Sequence, residues 1–247
     1  MSKPSKYRES LKELKDWTPF LLKNSGLPGP RGNLELAQVV AEEGNYTQFE
    51  KFLSFQAQEN TPEVFVVFCG VVGFGKLIAN GNFNLFPRLR AYASDSRWRI
   101  REGVAMALQY VGDRDMKLLI TEMQVWSKGN WYEKRAAAAA LAEPRLLKDP
   151  KIITEVLKIF NKITADVEQA GHPKDDAFNV LRQGMGYCWS VAVAALPNVG
   201  KPTMKKWLES QNLDIRWIMK ENLKKNRLIK MDAAWVKSCL ARLQISP

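Results

Sequence analysis

Two eleven-residue segments of this chain, 98–108 and 131–141, align without a gap at an offset of 33 residues. The alignment matches aromatic, basic and small apolar positions in the same order: Trp98 with Trp131, Arg101 with Lys134, Ala105 with Ala138, Ala107 with Ala140 and Leu108 with Leu141. Residues 215–223 echo the pattern, and a further copy is centred on Arg182. Similar residues recur at a fixed period when each helix pair buries one face on its neighbours, so the repeat predicts a solenoid of stacked helix pairs.

Outside these segments the chain shows helical periodicity broken by short turns, and no strand-rich block interrupts it. Ser10 and Glu13 have the spacing of a capping box and predict a helix that begins there and is kinked or split by Pro19. The apolar run Val64–Gly75 is twelve residues long, which is too short for a bilayer span and typical of a buried helix, with a strand as the alternative. We therefore expect an all-α fold in a single domain over residues 1–247.

Basic residues outnumber acidic ones by 37 to 26, which gives a formal net charge of +11 and a pI of about 9.6. Such an excess favours a polyanionic partner, although a generally basic soluble protein has the same composition. Three widely spaced cysteines and the single His172 supply neither a disulfide framework nor a metal-ligand set, so we expect no metal and no cofactor. No signal peptide or membrane span is predicted, and the expected location is the cytoplasm.

The basic residue that recurs in the repeat has two interpretations. The same place is held by Arg101, Lys134, Arg182 and Arg216. These cations can face a ligand, or they can bond to an acid or carbonyl of the neighbouring repeat and so form a structural ladder. Asp95, Asp113 and Asp214 lie in predicted turns and are the candidate partners for such a ladder.

Positive charge is concentrated in residues 88–101 and 201–230, with aromatic residues interleaved in both stretches. In the second stretch Lys220, Lys224 and Arg227 have i, i+4, i+7 spacing and therefore share one helical face. Several cations on one face suit contacts with phosphates, and a face that meets only solvent is the alternative.

The repeat, together with the segment Ser-Asp-Ser-Arg-Trp-Arg-Ile-Arg-Glu at 94–102, resembles the HEAT-like-repeat alkylpurine DNA glycosylase superfamily. Segments 27–33, 184–190 and 216–225 resemble a bacterial subgroup of HEAT-repeat proteins. The resemblance covers about residues 60–230 and is mainly architectural. It implies a right-handed α-α superhelix whose concave basic face holds duplex DNA. It also implies that active members excise alkylated bases with aromatic side chains and one carboxylate.

The resemblance assigns roles to particular residues of this chain. Trp98 and Glu102 match the spacing of the family's aromatic residue and carboxylate, and Tyr187 or Trp189 matches its second, lesion-facing aromatic. Ser190 and the three residues after it are neutral where active members place a base, so the chain departs from the pattern there. The cations expected to contact the DNA backbone are Arg97, Arg99, Arg101, Lys134, Arg135, Arg182, Arg216, Lys220 and Lys224.

If the chain is a glycosylase, Glu102 would stabilise positive charge developing on the sugar, and the indole of Trp98 would attract a cationic base. The alternative places Trp98 in inter-repeat packing and Glu102 in a salt bridge with Arg99 or Lys134. Three functions therefore stay open: excision of N3- or N7-alkylated purines, non-catalytic binding of distorted or branched DNA, and a protein-interaction scaffold. In each we expect a monomer, with double-stranded DNA or a protein as the partner and no membrane.

Overall fold

The computed structural model of this protein describes residues 2–245, and that part of the chain is all-α. It forms fifteen α-helices and two 3-10 turns, with no β-strand among the described residues, which confirms the predicted fold class. The packed helices are compatible with a helical-repeat fold. They group into two compact units, the first ending at Asp115 and the second beginning at Met116. The single domain expected over residues 1–247 stays a prediction.

The first unit is built around one long apolar helix, α5. Its seven α-helices are α1 (Lys3–Glu13), α2 (Thr18–Asn24), α3 (Leu34–Glu43), α4 (Tyr46–Leu53), α5 (Pro62–Ala79), α6 (Phe86–Tyr92) and α7 (Trp98–Arg114), with a 3-10 turn at Phe83–Leu85. Helices α2, α3, α4, α6 and α7 all contact α5, and every residue of the run Val64–Gly75 is buried. The predicted buried helix is confirmed. Length and composition alone would let α5 cross a membrane, but 72% of it is buried inside the protein, as expected of a core helix.

Glycines on α5 allow its neighbours to approach closely. A Cβ atom added at Gly75 would lie 2.3 Å from the Cα and carbonyl oxygen of Ala107 on α7. A Cβ atom at Gly73 would lie 2.4 Å from the ring of Phe49 on α4. Gly73 and Gly75 therefore serve close helix packing.

The predicted start of the first helix is wrong. Ser10 lies inside α1, whose N-cap is Ser2, because the Ser2 side chain accepts a hydrogen bond from the backbone N–H of Ser5. Helix α1 ends at Glu13 and α2 starts at Thr18, so Pro19 stands in a first turn, where its missing N–H leaves no intrahelical bond unmade.

The second unit is built around α11. Its α-helices are α8 (Met116–Trp126), α9 (Trp131–Leu141), α10 (Pro150–Gln169), α11 (Asp176–Ala195), α12 (Pro197–Leu208), α13 (Leu213–Leu223), α14 (Asn226–Met231) and α15 (Ala233–Ile245), with a 3-10 turn at Pro144–Leu146. Helices α9, α10, α12, α13 and α14 all contact α11. The helix runs through the middle of the unit and carries both predicted lesion-facing aromatics.

A buried asparagine joins α13 to α11. The side-chain amide of Asn222 donates hydrogen bonds to the carbonyl oxygens of Met185 (2.7 Å) and Ile218 (2.8 Å). Its side-chain oxygen accepts one from the backbone N–H of Ser190 (2.8 Å). Because these bonds satisfy a fully buried amide, they set the register of α13 against α11.

The sequence repeat coincides with helix starts. Trp98 and Trp131 are the first residues of α7 and α9, and Arg101 and Lys134 each occupy the fourth position of their helix. Arg216 is also the fourth residue of its helix, α13. The copy centred on Arg182 differs, because that arginine is the seventh residue of α11.

Candidate functional site

A cavity of about 220 Å³ opens in the first unit between the start of α7, the first half of α5 and the loop 25–33. Most of its wall is apolar or aromatic, and three charged residues complete it. Its lining residues are Leu27, Pro30, Arg31, Gly32, Leu34, Phe65, Phe68, Trp98, Arg99, Glu102 and Met106.

Trp98 and Glu102, the predicted aromatic and carboxylate pair, both line this cavity. Trp98 is the first residue of α7, and Glu102 lies one turn later on the same helix face. The tryptophan is 45% exposed and Glu102 is partly buried. The two residues therefore share one helix face, as their spacing predicted, and both reach the cavity.

Arg99 forms part of the cavity wall and is held by the protein itself. The guanidinium donates to the carbonyl oxygen of Gly29 (2.6 Å) and to the side-chain oxygen of Asn60 (2.9 Å), and it lies 3.5 Å from Glu59. It also lies 4.3 Å from the centre of the Trp98 ring. Because Arg99 is only 6% exposed, it supports the cavity and offers little to a phosphate. Sequence reasoning missed the loop 25–33 and Asn60, which only the folded chain brings to α7.

Arg97 is bound to an acid of its own loop. Its Nε and Nη2 donate to the two carboxylate oxygens of Asp95 at 2.8 and 2.7 Å, and Nη1 donates to the carbonyl oxygen of Ala57 (3.3 Å). Burial raises the pKa of Asp95, but the side-chain and backbone N–H groups of Arg97 outweigh it, so this pKa lies below its ordinary value. The pair closes the turn before α7.

Arg101 and Lys134 are buried, and each bonds to the loop that precedes its own helix. Arg101 donates to the carbonyl oxygens of Asp95 (2.6 Å) and Ser96 (2.9 Å). Lys134 donates to the carbonyl oxygen of Gly129 (2.7 Å) and lies 3.3 Å from Asp166. These contacts give both residues a role inside the fold, but the hydrogen bonds close each residue's own loop and do not form the expected ladder to the neighbouring repeat.

Arg182 and Arg216 have different partners from the first two copies. The Nε of Arg182 lies 2.6 Å from Asp214, and its guanidinium stacks 3.9 Å from the centre of the Trp217 ring. Arg216 donates to the carbonyl oxygen of Leu243. Asp214 also lies 2.7 Å from Nδ1 of His172, a loop histidine whose side chain is mostly exposed, as expected. All four recurring cations therefore make bonds within the fold.

The three remaining backbone-contact candidates lie nearer the surface. Arg135 on α9 is half-buried, whereas Lys220 on α13 and Lys224, which follows the last residue of α13, are exposed. The single helical face predicted for Lys220, Lys224 and Arg227 is wrong, because α13 ends at Leu223 and Arg227 belongs to α14. Lys224 forms a surface ion pair with Glu221 of α13. Exposed pairs of this kind contribute little to stability and leave the lysine accessible to other anions.

The two predicted lesion-facing aromatics have opposite environments. Trp189 is fully buried, donates its indole N–H to the hydroxyl of Thr164 (3.0 Å) and packs edge-on against Phe160. It cannot present its ring to a base, which corrects that assignment. Tyr187, two positions earlier on α11, is 40% exposed.

Tyr187 stands in a groove of about 730 Å³ in the second unit. Four cations lie along this groove, which we call the basic groove: Lys224, Lys225, Arg227 and Lys230. The other lining residues are mostly small and apolar: Pro144, Leu147, Val191, Ala194, Ala195 and Asn226. The basic stretch 201–230 was visible in the sequence, but its meeting with Tyr187 and the 3-10 turn at Pro144–Leu146 was not.

No group of three or more His, Cys, Asp or Glu side chains among the described residues has the arrangement of a metal site. Cys69 is buried on α5, and burial raises the pKa of its thiol well above the ordinary value, so it is a poor nucleophile. Comparison of the chain with protein-family profiles, with curated proteins and with solved structures finds no match. The geometry of the cavity and of the basic groove is therefore the basis for a functional proposal.

Proposed function

We propose that this protein binds nucleic acid through the basic groove. The observation that supports this proposal is the grouping of Lys224, Lys225, Arg227 and Lys230 along one groove. Residues 201–242 contain eleven basic and four acidic side chains, a formal excess of seven within a chain of net charge +11. Cations on one face replace condensed counterions along a phosphate backbone, and the released ions drive binding.

In this proposal the recurring basic residues of the repeat stabilise the fold, and the cations of the basic groove contact the ligand. Arg101 and Lys134 are buried and bonded to carbonyl oxygens, so they have few donors left for phosphates. Lys224 and Lys230 are exposed, and Lys225 and Arg227 are partly exposed. Recognition through phosphates carries no base sequence by itself, so we expect binding with little sequence preference.

The test is fluorescence anisotropy of labelled oligonucleotides over a series of salt concentrations. The double variant Lys225→Gln/Lys230→Gln should bind more weakly. Its plot of log affinity against log salt should also fall less steeply, by about one unit of slope for each lost phosphate contact. The matched control is Lys205→Gln/Lys237→Gln, which removes two exposed lysines of the same unit that do not line the groove. Equal affinity and slope in the groove variant and the wild type would reject the proposal.

A second candidate function is excision of an alkylated base at the cavity of the first unit. The observation that favours it is that Trp98 and Glu102 line one cavity. In this reaction the N-glycosidic bond breaks, its electron pair leaves with the base, and water adds to the sugar carbon and releases one proton to solvent. The carboxylate of Glu102 would stabilise the developing oxocarbenium ion and orient the water, and Trp98 would attract a cationic base.

This second function is tested by release of methylated bases from alkylated DNA at two salt concentrations. Release by the wild type should fall by about a hundredfold or more in Glu102→Gln, because the carboxylate charge is lost while the shape is kept. Glu63→Gln, which removes a partly buried carboxylate of α5 outside the cavity, is the control. If the protein binds nucleic acid but releases no base, it is a non-catalytic nucleic-acid binder. If it neither binds nucleic acid nor releases a base, the result favours the protein-interaction scaffold.

A further inference from the structure

The basic groove combines two surfaces that a phosphate-binding face alone does not need. Part of its lining is cationic, and we call Lys224, Lys225, Arg227 and Lys230 its rim. The rest is mostly apolar, and we call Val191, Ala194 and Ala195 of α11 and Leu147 after the 3-10 turn its floor. Apolar lining beside charged lining matches a ligand that carries both phosphates and flat apolar groups.

Double-stranded nucleic acid presents phosphates outward but keeps its bases stacked inside, where an apolar floor cannot reach them. A single strand leaves its bases free to turn toward a protein while its phosphates follow a line of cations. We propose that the basic groove holds an unpaired stretch of a nucleic-acid strand, with phosphates on the rim and a base against Tyr187 and the floor. This inference rests on the proposed nucleic-acid function and names its substrate class.

Tyr187 and Arg227 form a fixed platform for such a base. The guanidinium of Arg227 donates a hydrogen bond to the phenolic oxygen of Tyr187 (2.5 Å) and lies 4.7 Å from the centre of its ring. Lys225 adds a second cation 6.0 Å from the same centre. Bases stack on aromatic rings, and the bond to Arg227 holds the Tyr187 ring in place, so the ring has little freedom to lose on binding.

An acidic peptide is the main competing occupant of a cationic groove. Its carboxylates would meet the rim, but glutamate and aspartate side chains carry no ring to stack on the Tyr187–Arg227 platform. The apolar floor and the platform therefore favour a nucleotide strand, and the peptide becomes an arm of the test.

The experiment measures the affinity of the full chain for four probes by anisotropy competition at fixed salt. The probes are a single strand, the duplex of the same sequence, a strand of equal length with abasic residues, and polyglutamate. We expect the wild type to bind the single strand about tenfold or more tightly than the duplex or the abasic strand, since only the first offers both phosphates and free bases.

Tyr187→Ala should lose about ten- to hundredfold in affinity for the single strand and little for the abasic strand. Tyr187→Phe keeps the stacking ring and removes the bond to Arg227, so its loss should be smaller. Tyr132→Ala, on α9 and outside the groove, is the control. The comparison of the single strand with the abasic strand uses only the wild type, so it tests the inference even if Tyr187→Ala folds poorly.

Failure of the single-strand inference and failure of the proposed nucleic-acid function, on which it rests, give different results. Salt-dependent binding with the duplex or the abasic strand held as tightly as the single strand would overturn the inference and leave the proposed function standing. No binding of any nucleic-acid probe would overturn both, and polyglutamate binding in that case would assign the groove to acidic peptides.

Discussion

Arg101 donates a hydrogen bond from Nη1 to the carbonyl oxygen of Ser96 at 2.9 Å, and so closes the loop that leads into its own helix. Thirty-three residues later, Lys134 donates to the carbonyl oxygen of Gly129 at 2.7 Å. The two bonds are equivalent in the repeat, because Ser96 and Gly129 are separated by the same offset as Arg101 and Lys134. A repeat first seen as a recurrence of residue types is therefore also a recurrence of one loop-closing contact.

These loop-closing bonds predict that Arg101→Met and Lys134→Met destabilise the protein. Each change leaves carbonyl oxygens without their charged donor, and we expect a loss of about 1–3 kcal/mol in the free energy of unfolding. Denaturant unfolding measures the loss, with the exposed Lys220→Met as the control expected to stay within about 0.5 kcal/mol of the wild type. Weaker DNA binding without a loss of stability would instead indicate that the two residues contact DNA.

The buried carboxylate of Asp214 predicts a strong coupling with Arg182. The side chain of Asp214 is 3% exposed, so removing the arginine leaves a buried charge with less compensation. We expect Arg182→Met to lower the free energy of unfolding by about 3 kcal/mol. The double variant Arg182→Met/Asp214→Asn should lose less than the sum of the single variants, because the second change removes the stranded charge. Strict additivity in a double-mutant cycle would contradict the coupling.

The close approach of α5 and α7 predicts that Gly75→Ala is poorly tolerated. The new Cβ atom would lie 2.3 Å from backbone atoms of Ala107, which cannot move without shifting a helix. We expect a loss of about 3 kcal/mol despite the better helix propensity of alanine. Gly184→Ala in α11 is the matched control, since its nearest contact is the flexible Cγ of Arg135 at 3.4 Å. Thermal unfolding should show the control unchanged or up to about 1 kcal/mol more stable, and an equal effect at both sites would contradict the packing argument.

The lowered pKa of Asp95 predicts a pH-dependent contribution to stability. The unfolded chain has this group near its ordinary pKa of about 3.9, and the folded chain binds its proton less tightly because of Arg97. The stabilisation is therefore fully present above about pH 4 and is lost as the pH falls through the folded pKa. Asp95→Asn should be less stable than the wild type at neutral pH, and the difference should shrink below about pH 4.

Urea unfolding at a series of pH values checks this prediction. Glu13→Gln, which removes an exposed carboxylate of the same unit, serves as the control and should show no such convergence. A difference between Asp95→Asn and the wild type that persists unchanged into acid would mean that the carboxylate charge is not its cause.

Helical character and the buried run Val64–Gly75 were predictable because both depend on residue spacing within one segment. The spacing of Trp98 and Glu102 likewise predicted that they share a helix face. The Ser10 capping box failed because the helix begins about two turns earlier, where the side chain of Ser2 makes the capping bond. Local pattern identifies which caps are available but not which of them forms.

The amino-acid sequence alone determined the all-α class, the 33-residue repeat and the excess of positive charge. Only the tertiary structure decided which cations are bonded inside the fold and which stay exposed. The sequence pattern does not distinguish Arg101 from Lys224. In the structure Arg101 is buried and bonded to Ser96, whereas Lys224 is exposed and lines the same groove as Tyr187. The physical reason is that a cation's availability depends on burial and on partners distant in the chain, and spacing within one helix carries information on neither.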